Sequence, residues 1–143
     1  MNSDFDLDKI TDKMNFILDN LDKLKFLRDI PEEKFYNDFR NIESAKYLLQ
    51  ITIESMIDIA NHIIARKRMG RPKTYGDSFT LLQDNKIISP EKVKVFKTMV
   101  KFRNRVVHLY QEVNPAEIYK ILHNNLQDFT GYLEQIRKYI TEK

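Results

Sequence analysis

Arg103, Asn104 and His108 have side chains suited to chemistry on a phosphodiester, and they stand within one short stretch of the chain. Around them, Phe96, Met99, Val100, Val107 and Tyr110 mark the apolar stripe of a predicted helix that starts at Ser89-Pro90 and reaches roughly Tyr110. At about 100° per residue, Arg103 falls in the middle of that stripe. A permanently charged guanidinium among apolar groups needs a paired anion or full hydrogen bonding. Three outcomes stay open: a structural ion pair, a cleft at a subunit junction, or an anionic ligand. Arginine's planar fork suits a phosphate. Asn104 and His108 lie one turn apart, so a hydrogen bond between them could fix the imidazole's orientation and tautomer. The helix end also favours a positive imidazole. Together these groups could cleave a phosphodiester without metal. The histidine would take a ribose 2′-hydroxyl proton or protonate the leaving oxygen. The arginine would hold charge developing on phosphorus. A histidine near a helix end is also often a plain polar cap, and spacing alone does not separate the two.

The other polar groups are less specific. Glu54, Asp58 and His62 are four apart and line one polar stripe of an earlier helix. Asp58 could orient a base, or pair with Arg103 across an interface; solvated surface pairing is the alternative. Two carboxylates and one histidine on a helix make no convincing metal site, so neither metal nor cofactor is expected. The most basic run holds Arg66, Lys67, Arg68, Arg71 and Lys73. Arg68, Arg71, Lys73 and the later Arg105 could contact a nucleic-acid backbone, or could simply be solvated. His123 is expected to be exposed. Tyr110 reads as a half-buried tyrosine with its hydroxyl at the rim, and Tyr75 as a pin holding its loop to the body.

Helices must position these residues. Periodicity predicts a first helix from about Leu7 to Arg28. Pro31 suits the first turn of the next, a long helix from about Glu32 to Arg68. Its stripe would be Phe35, Phe39, Ile42, Leu49, Ile53, Met56, Ala60 and Ile64. Such length implies a bundle or a partner. Gly70, Pro72 and Gly76 punctuate a loop from Met69 to Asp77, and a short helix follows at about Ser78 to Gln83. Ser89 is a predicted cap before Pro90. Asn114 caps the last helix, Pro115 takes its first position, and Glu117 completes a box-like pairing. That helix carries Ile118, Leu122, Leu126, Phe129, Leu133, Ile136 and Ile140. The expected fold is all-α: one domain over residues 1–143, an up-and-down bundle of four long helices and one short helix. The repeats are too irregular for a coiled-coil rod.

Composition agrees with this frame. With 42% hydrophobic and 31% charged residues, the 143-residue chain is not expected to be disordered. The absence of cysteine excludes disulfides, thiolate nucleophiles and cysteine-based zinc sites. A net charge of +3 tolerates a polyanionic partner without demanding one. The acidic start MNSDFDLDKI does not read as a secretion signal. No stretch approaches the ~20 apolar residues that span a bilayer, so a cytoplasmic protein without a membrane partner is expected.

The run Arg103-Asn104-Arg105-Val106-Val107-His108-Leu109-Tyr110 resembles the R-x4-H-x-Y signature of the HepT-like branch of HEPN proteins. The stretch from Ile53 to Phe79 is similar to that family's acidic helix and proline-tyrosine loop. LLQDNKIISPE and NPAEIYKIL fit its layout too, so the likeness runs from about Phe16 to Ile140. The resemblance implies a helical homodimer with the motifs near the subunit interface. It implies a metal-independent endoribonuclease toxin, of a type VII-like toxin–antitoxin pair, with Arg103 and His108 catalytic. Asn104 would support them, and Asp58 falls where the family often has an acidic residue. The implied partners are RNA and a minimal nucleotidyltransferase antitoxin, which would attach AMP to Tyr110. That bulk and negative charge beside a phosphate site should block it. Lys101 and Leu109 stand where the family commonly has glycine; neither change removes a reactive group. The implied products are a 2′,3′-cyclic phosphate and a 5′-hydroxyl. The rival expectation is a non-catalytic helical module that binds a nucleotide or a nucleotidyltransferase. A third is a purely structural dimer with Arg103 locked in an ion pair, which burial of Arg103 against Asp58 with no cleft near His108 would favour.

Overall fold

The computed structural model describes residues 6–108 and 112–142. Among them the chain is all-helical, in the order α1 (Leu7–Arg28), α2 (Glu32–Asn37), α3 (Phe39–Lys67), α4 (Tyr75–Asp84), α5 (Pro90–Val107), α6 (Pro115–Asn124) and α7 (Leu126–Thr141). No helix among the described residues is long and apolar enough to cross a membrane.

The first helix matches its expected bounds. Asp6 caps it, its side chain accepting from the Lys9 N–H. Ile10, Ile17, Leu21, Leu24 and Leu27 recur at helical spacing and are buried. They pack along α3, whose Leu49, Ile53, Met56, Ala60 and Ile63 are also buried. α4 and α5 cover another side of α3. A single ring cluster joins these layers. Tyr132 of α7 meets Phe96 of α5 edge-on at 5.2 Å and Phe79 of α4 at 5.9 Å. Its hydroxyl donates to the Met56 carbonyl of α3 at 2.8 Å. Burial pushes the Tyr132 phenol well above its ordinary pKa, so it remains a donor.

Two expected long helices are each broken. The second ends at Asn37 because Asp38 turns extended and starts α3, its carboxylate accepting from the Arg40 N–H and guanidinium. The break rotates Phe39 off the predicted stripe and leaves it 73% exposed. Pro31 precedes α2 as its N-cap rather than entering its first turn. The last predicted helix breaks at Asn125. Its carboxamide donates to the buried Asp128, which also receives Lys92. Two further caps differ from expectation. Ser89 makes no side-chain cap bond, and its hydroxyl instead accepts from Gln135. Asn114 does cap α6 through the Ala116 N–H, but the Glu117 carboxylate turns to Arg105.

The loop between α3 and α4 sets up the site. Arg68 ends α3 in the left-handed region at φ 52°, and Gly70 follows at φ 131°. A Cβ at Gly70 would come within 3.3 Å of Leu81. The short helix begins three residues earlier than expected, at Tyr75, because Thr74 and Asp77 form a reciprocal capping box. The Asp77 carboxylate also accepts from the Lys73 N–H. These bonds hold it below the usual carboxylate range, the Thr74 side chain contributing most.

Candidate active site

The site assembles where α5 ends. Val93, Phe96, Met99 and Val100 bury the preceding turns of α5 and fix its axis. One turn further on, Arg103 sits at the margin of this apolar face, its side chain 18% exposed. Its charge is matched by Glu54 of α3. The Arg103 Nε and Nη2 donate to Glu54 Oε2 at 2.9 and 2.8 Å. Gln50 steadies the same oxygen at 3.2 Å. The Arg103 Nη1 donates to Asn104 Oδ1 at 3.1 Å. The guanidinium also lies 5.2 Å from the ring centre of Tyr75, a cation–π contact. Anion, amide and ring thus set its direction from three sides.

His108 follows as the C-cap of α5. Its backbone N–H donates to the Asn104 carbonyl at 3.1 Å, and its side chain is exposed. Asn104 and His108 line one open recess of about 450 Å³, with Asn61, Lys73, Tyr75 and Ser78 among its walls. That size lies within the range of small-ligand sites. The Asn104 carboxamide oxygen serves Arg103.

The other expected site residues are distributed as follows. Asp58 does not face Arg103 within the chain; it is exposed and pairs with Lys13 of α1 at 3.0 Å. The polar stripe on α3 is therefore divided between two neighbours: Glu54 goes to α5, while Asp58 goes to α1 and His62 accepts the N–H of that helix's cap, Asp6, at 3.1 Å. Arg105 points away from the recess. It forks onto Glu117 of α6, one nitrogen at 2.9 Å from Oε1 and the other on Oε2. Arg68 and Arg71 are exposed on the loop, and Lys73 reaches the recess wall. His123 is exposed as expected, stacked on Tyr119. Tyr110 lies outside the described residues. Among the described residues, no group of three or more histidine, aspartate or glutamate side chains is placed to hold a metal ion.

Sequence reasoning passed over Glu54 as the anion for Arg103, and Tyr75 as a wall of the recess. The first carried only a weak signal, since Glu54 and Asp58 share one helical face. The second carried a stronger one. Thr74 and Asp77 have capping-box spacing, which starts α4 at Tyr75 and removes it from the loop.

The ion pair expected of Arg103 in the purely structural alternative is present, with Glu54 rather than Asp58 as the anion, while a recess adjoins His108.

Similarity to known proteins bears on this geometry. Residues 17–136 match the family model of the ribonuclease HepT-like proteins. The mRNA nuclease HepT of Shewanella oneidensis is 38% identical over 104 residues, covering 73% of this chain and 78% of that protein. The tRNA nuclease HepT of Aphanizomenon flos-aquae is 29% identical over 120 residues, covering 84% and 82% respectively. Among solved structures, the tri-AMPylated Shewanella oneidensis HEPN toxin in complex with MNT antitoxin matches with a TM-score of 0.86. Its identity is 32%, covering 96% of this chain and 99% of that one. With a match across most of its length and a relative above a third identical, the chain belongs to the ribonuclease HepT-like family.

Proposed function

We propose that this protein is the endoribonuclease toxin of a toxin–antitoxin pair, cutting RNA with Arg103 and His108. The carrying observation is the end of α5. A guanidinium oriented by Glu54 stands five residues before an exposed histidine that lines an open polar recess. In this reading an RNA phosphate docks on the accessible side of Arg103. An unprotonated His108 nitrogen takes the proton of the ribose 2′-hydroxyl. The 2′ oxygen attacks phosphorus and the P–O5′ bond breaks. The 5′ oxygen leaves as a hydroxyl after receiving a proton from the imidazolium or from water. The products are a 2′,3′-cyclic phosphate and a 5′-hydroxyl. Arg103 offsets the extra negative charge of the pentacoordinate phosphorus. No step needs a metal ion. Asn104 keeps the guanidinium in plane, while Lys73 at the recess wall draws the RNA backbone inward, with Arg68 and Arg71 on the adjoining loop. Arg105, engaged by Glu117, has a weaker claim to that role.

The working form is a homodimer in the cytoplasm, with the two α5 ends near the shared interface. Its partner is a minimal nucleotidyltransferase antitoxin. The basis is the solved Shewanella oneidensis toxin, which is AMPylated and bound to an MNT antitoxin. Tyr110 is two residues beyond His108 and is the residue to be modified. AMP there would bring bulk and a phosphate charge two residues along the chain from His108.

Expression in cells tests the whole scheme. The unmodified chain should arrest growth, R103A and H108A should not, and coexpression with the nucleotidyltransferase should relieve the arrest. Intact mass should then increase by one or more AMP groups in the parent and by none in Y110F. Arrest by H108A as strong as that by the parent would defeat the catalytic reading.

A further inference from the structure

We infer that the recess beside His108 binds a nucleobase of the RNA substrate, with Tyr75 as its stacking platform and Asn61 and Asn104 reading its edge. This rests on the ribonuclease reading above and adds a specificity pocket to it. Three features carry it. The first is shape and position. The recess is open to solvent, about 450 Å³ in volume, and shares Asn104 and His108 with the reacting centre. A nucleotide whose phosphate meets Arg103 would have its base within reach of these walls.

The second is Tyr75. It begins α4, and the Thr74–Asp77 capping box and the adjacent Lys73 N–H bond to Asp77 fix its backbone. Tyr75 is 45% exposed and lines the recess, while Arg103 lies over its ring at 5.2 Å. A large aromatic side chain held half in solvent at a binding recess offers a flat surface to a base. Single-stranded RNA is commonly recognised by such stacking, with hydrogen bonds to the base edge.

The third is the state of the two carboxamides. Asn61 Oδ1 accepts the Ser78 hydroxyl at 2.6 Å, and Asn104 Oδ1 accepts Arg103 Nη1 at 3.1 Å. Both amides line the recess, and with each oxygen already accepting one bond, the NH2 group is what each can offer a bound base as a donor. The recess therefore suits a base edge that carries acceptors, and disfavours an edge that presents a donor to the same amide.

The test uses the full-length purified protein and a library of single-stranded RNA oligonucleotides. Cleavage sites are mapped, and kcat and KM are measured on the preferred sequence. The parent should show a base preference next to the cut. Tyr75→Ala should raise KM roughly tenfold, as loss of one stacked base implies. Tyr75→Phe, which keeps the ring, should recover most of the affinity that Tyr75→Ala loses. Asn61→Asp, which replaces a donor with an acceptor, should change the preferred base while cleavage continues. If the parent cuts no RNA, the ribonuclease reading itself fails. If the parent cuts but Tyr75→Ala lowers only kcat, Tyr75 merely positions Arg103, and if Asn61→Asp leaves the base preference unchanged, Asn61 reads no base edge; either result overturns the pocket assignment. Thermal melts of each variant separate these outcomes from misfolding.

Discussion

Along α5, the buried N-terminal half and the polar C-terminal end are fixed by different forces. The first half is anchored by shape: Phe96 packs edge-on against Tyr132 and is fully buried. The last turns are anchored by directional bonds. Arg103 goes to Glu54 on one neighbour, and Arg105 goes to Glu117 on another. Apolar packing sets where a helix axis runs, but it does not aim a guanidinium. Ion pairs aim well but add little stability when partly solvated. The site thus depends on the core for its location and on Glu54 for its orientation, and the two dependences can be broken separately.

The largest effect should come from the core. Phe96→Ala should cost about 3–5 kcal/mol of unfolding free energy, because it opens a cavity in the ring cluster. Urea denaturation followed by circular dichroism measures this. A loss below about 1 kcal/mol would show that the cluster does not anchor α5. At the polar end the balance should reverse. Glu54→Gln should lower kcat for RNA cleavage up to roughly 100-fold, as expected when a reacting group loses its alignment. KM should change much less, Glu54→Asp should recover part of the rate, and the melting curve should stay near that of the parent. A stability loss as large as that of Phe96→Ala would instead make Glu54 a fold residue.

Smaller effects sharpen the contrast. Tyr132→Phe removes one buried hydrogen bond and should cost about 1 kcal/mol with no change in cleavage rate. The smallest is a pH effect at the start of α1, where His62 accepts the Asp6 N–H. Burial, aided by Arg66 and Lys9 and opposed by Asp6, lowers the pKa of His62. The folded state therefore resists a proton that the unfolded chain accepts near pH 6.5. Stability from this group is present above that pH and declines as pH falls below it. Melting temperature should drop between pH 7.5 and 5 in the parent, and less in His62→Gln. Equal drops would assign the acid sensitivity to other groups.

Much of this was legible in the sequence, and the exceptions have physical causes. α1 was readable because its stripe is regular and its ends are polar. The starts of α5 and α6 were readable from Ser89-Pro90 and Asn114-Pro115. The breaks at Asp38 and Asn125 were not, since apolar periodicity runs through both; a side-chain cap marks the first, and only a carboxamide bond to Asp128 marks the second. Arg103 was identifiable because charge inside an apolar stripe violates local expectation. Its partner was not, because Glu54 lies on another helix and shares a face with Asp58. Which of the two carboxylates meets α5 depends on how α1 and α5 flank α3. The Tyr75 wall depends likewise on a capping box that pulls it out of the loop.

Cleavage of a defined RNA by the purified protein, with the product ends identified, tests the central claim most directly. The parent should leave a 2′,3′-cyclic phosphate and a 5′-hydroxyl in the presence of EDTA. His108→Ala, equally folded, should be slower by roughly 100-fold or more, the scale of a lost general acid–base group. Cleavage by His108→Ala at the parent's rate, or product ends of another kind, would contradict the account.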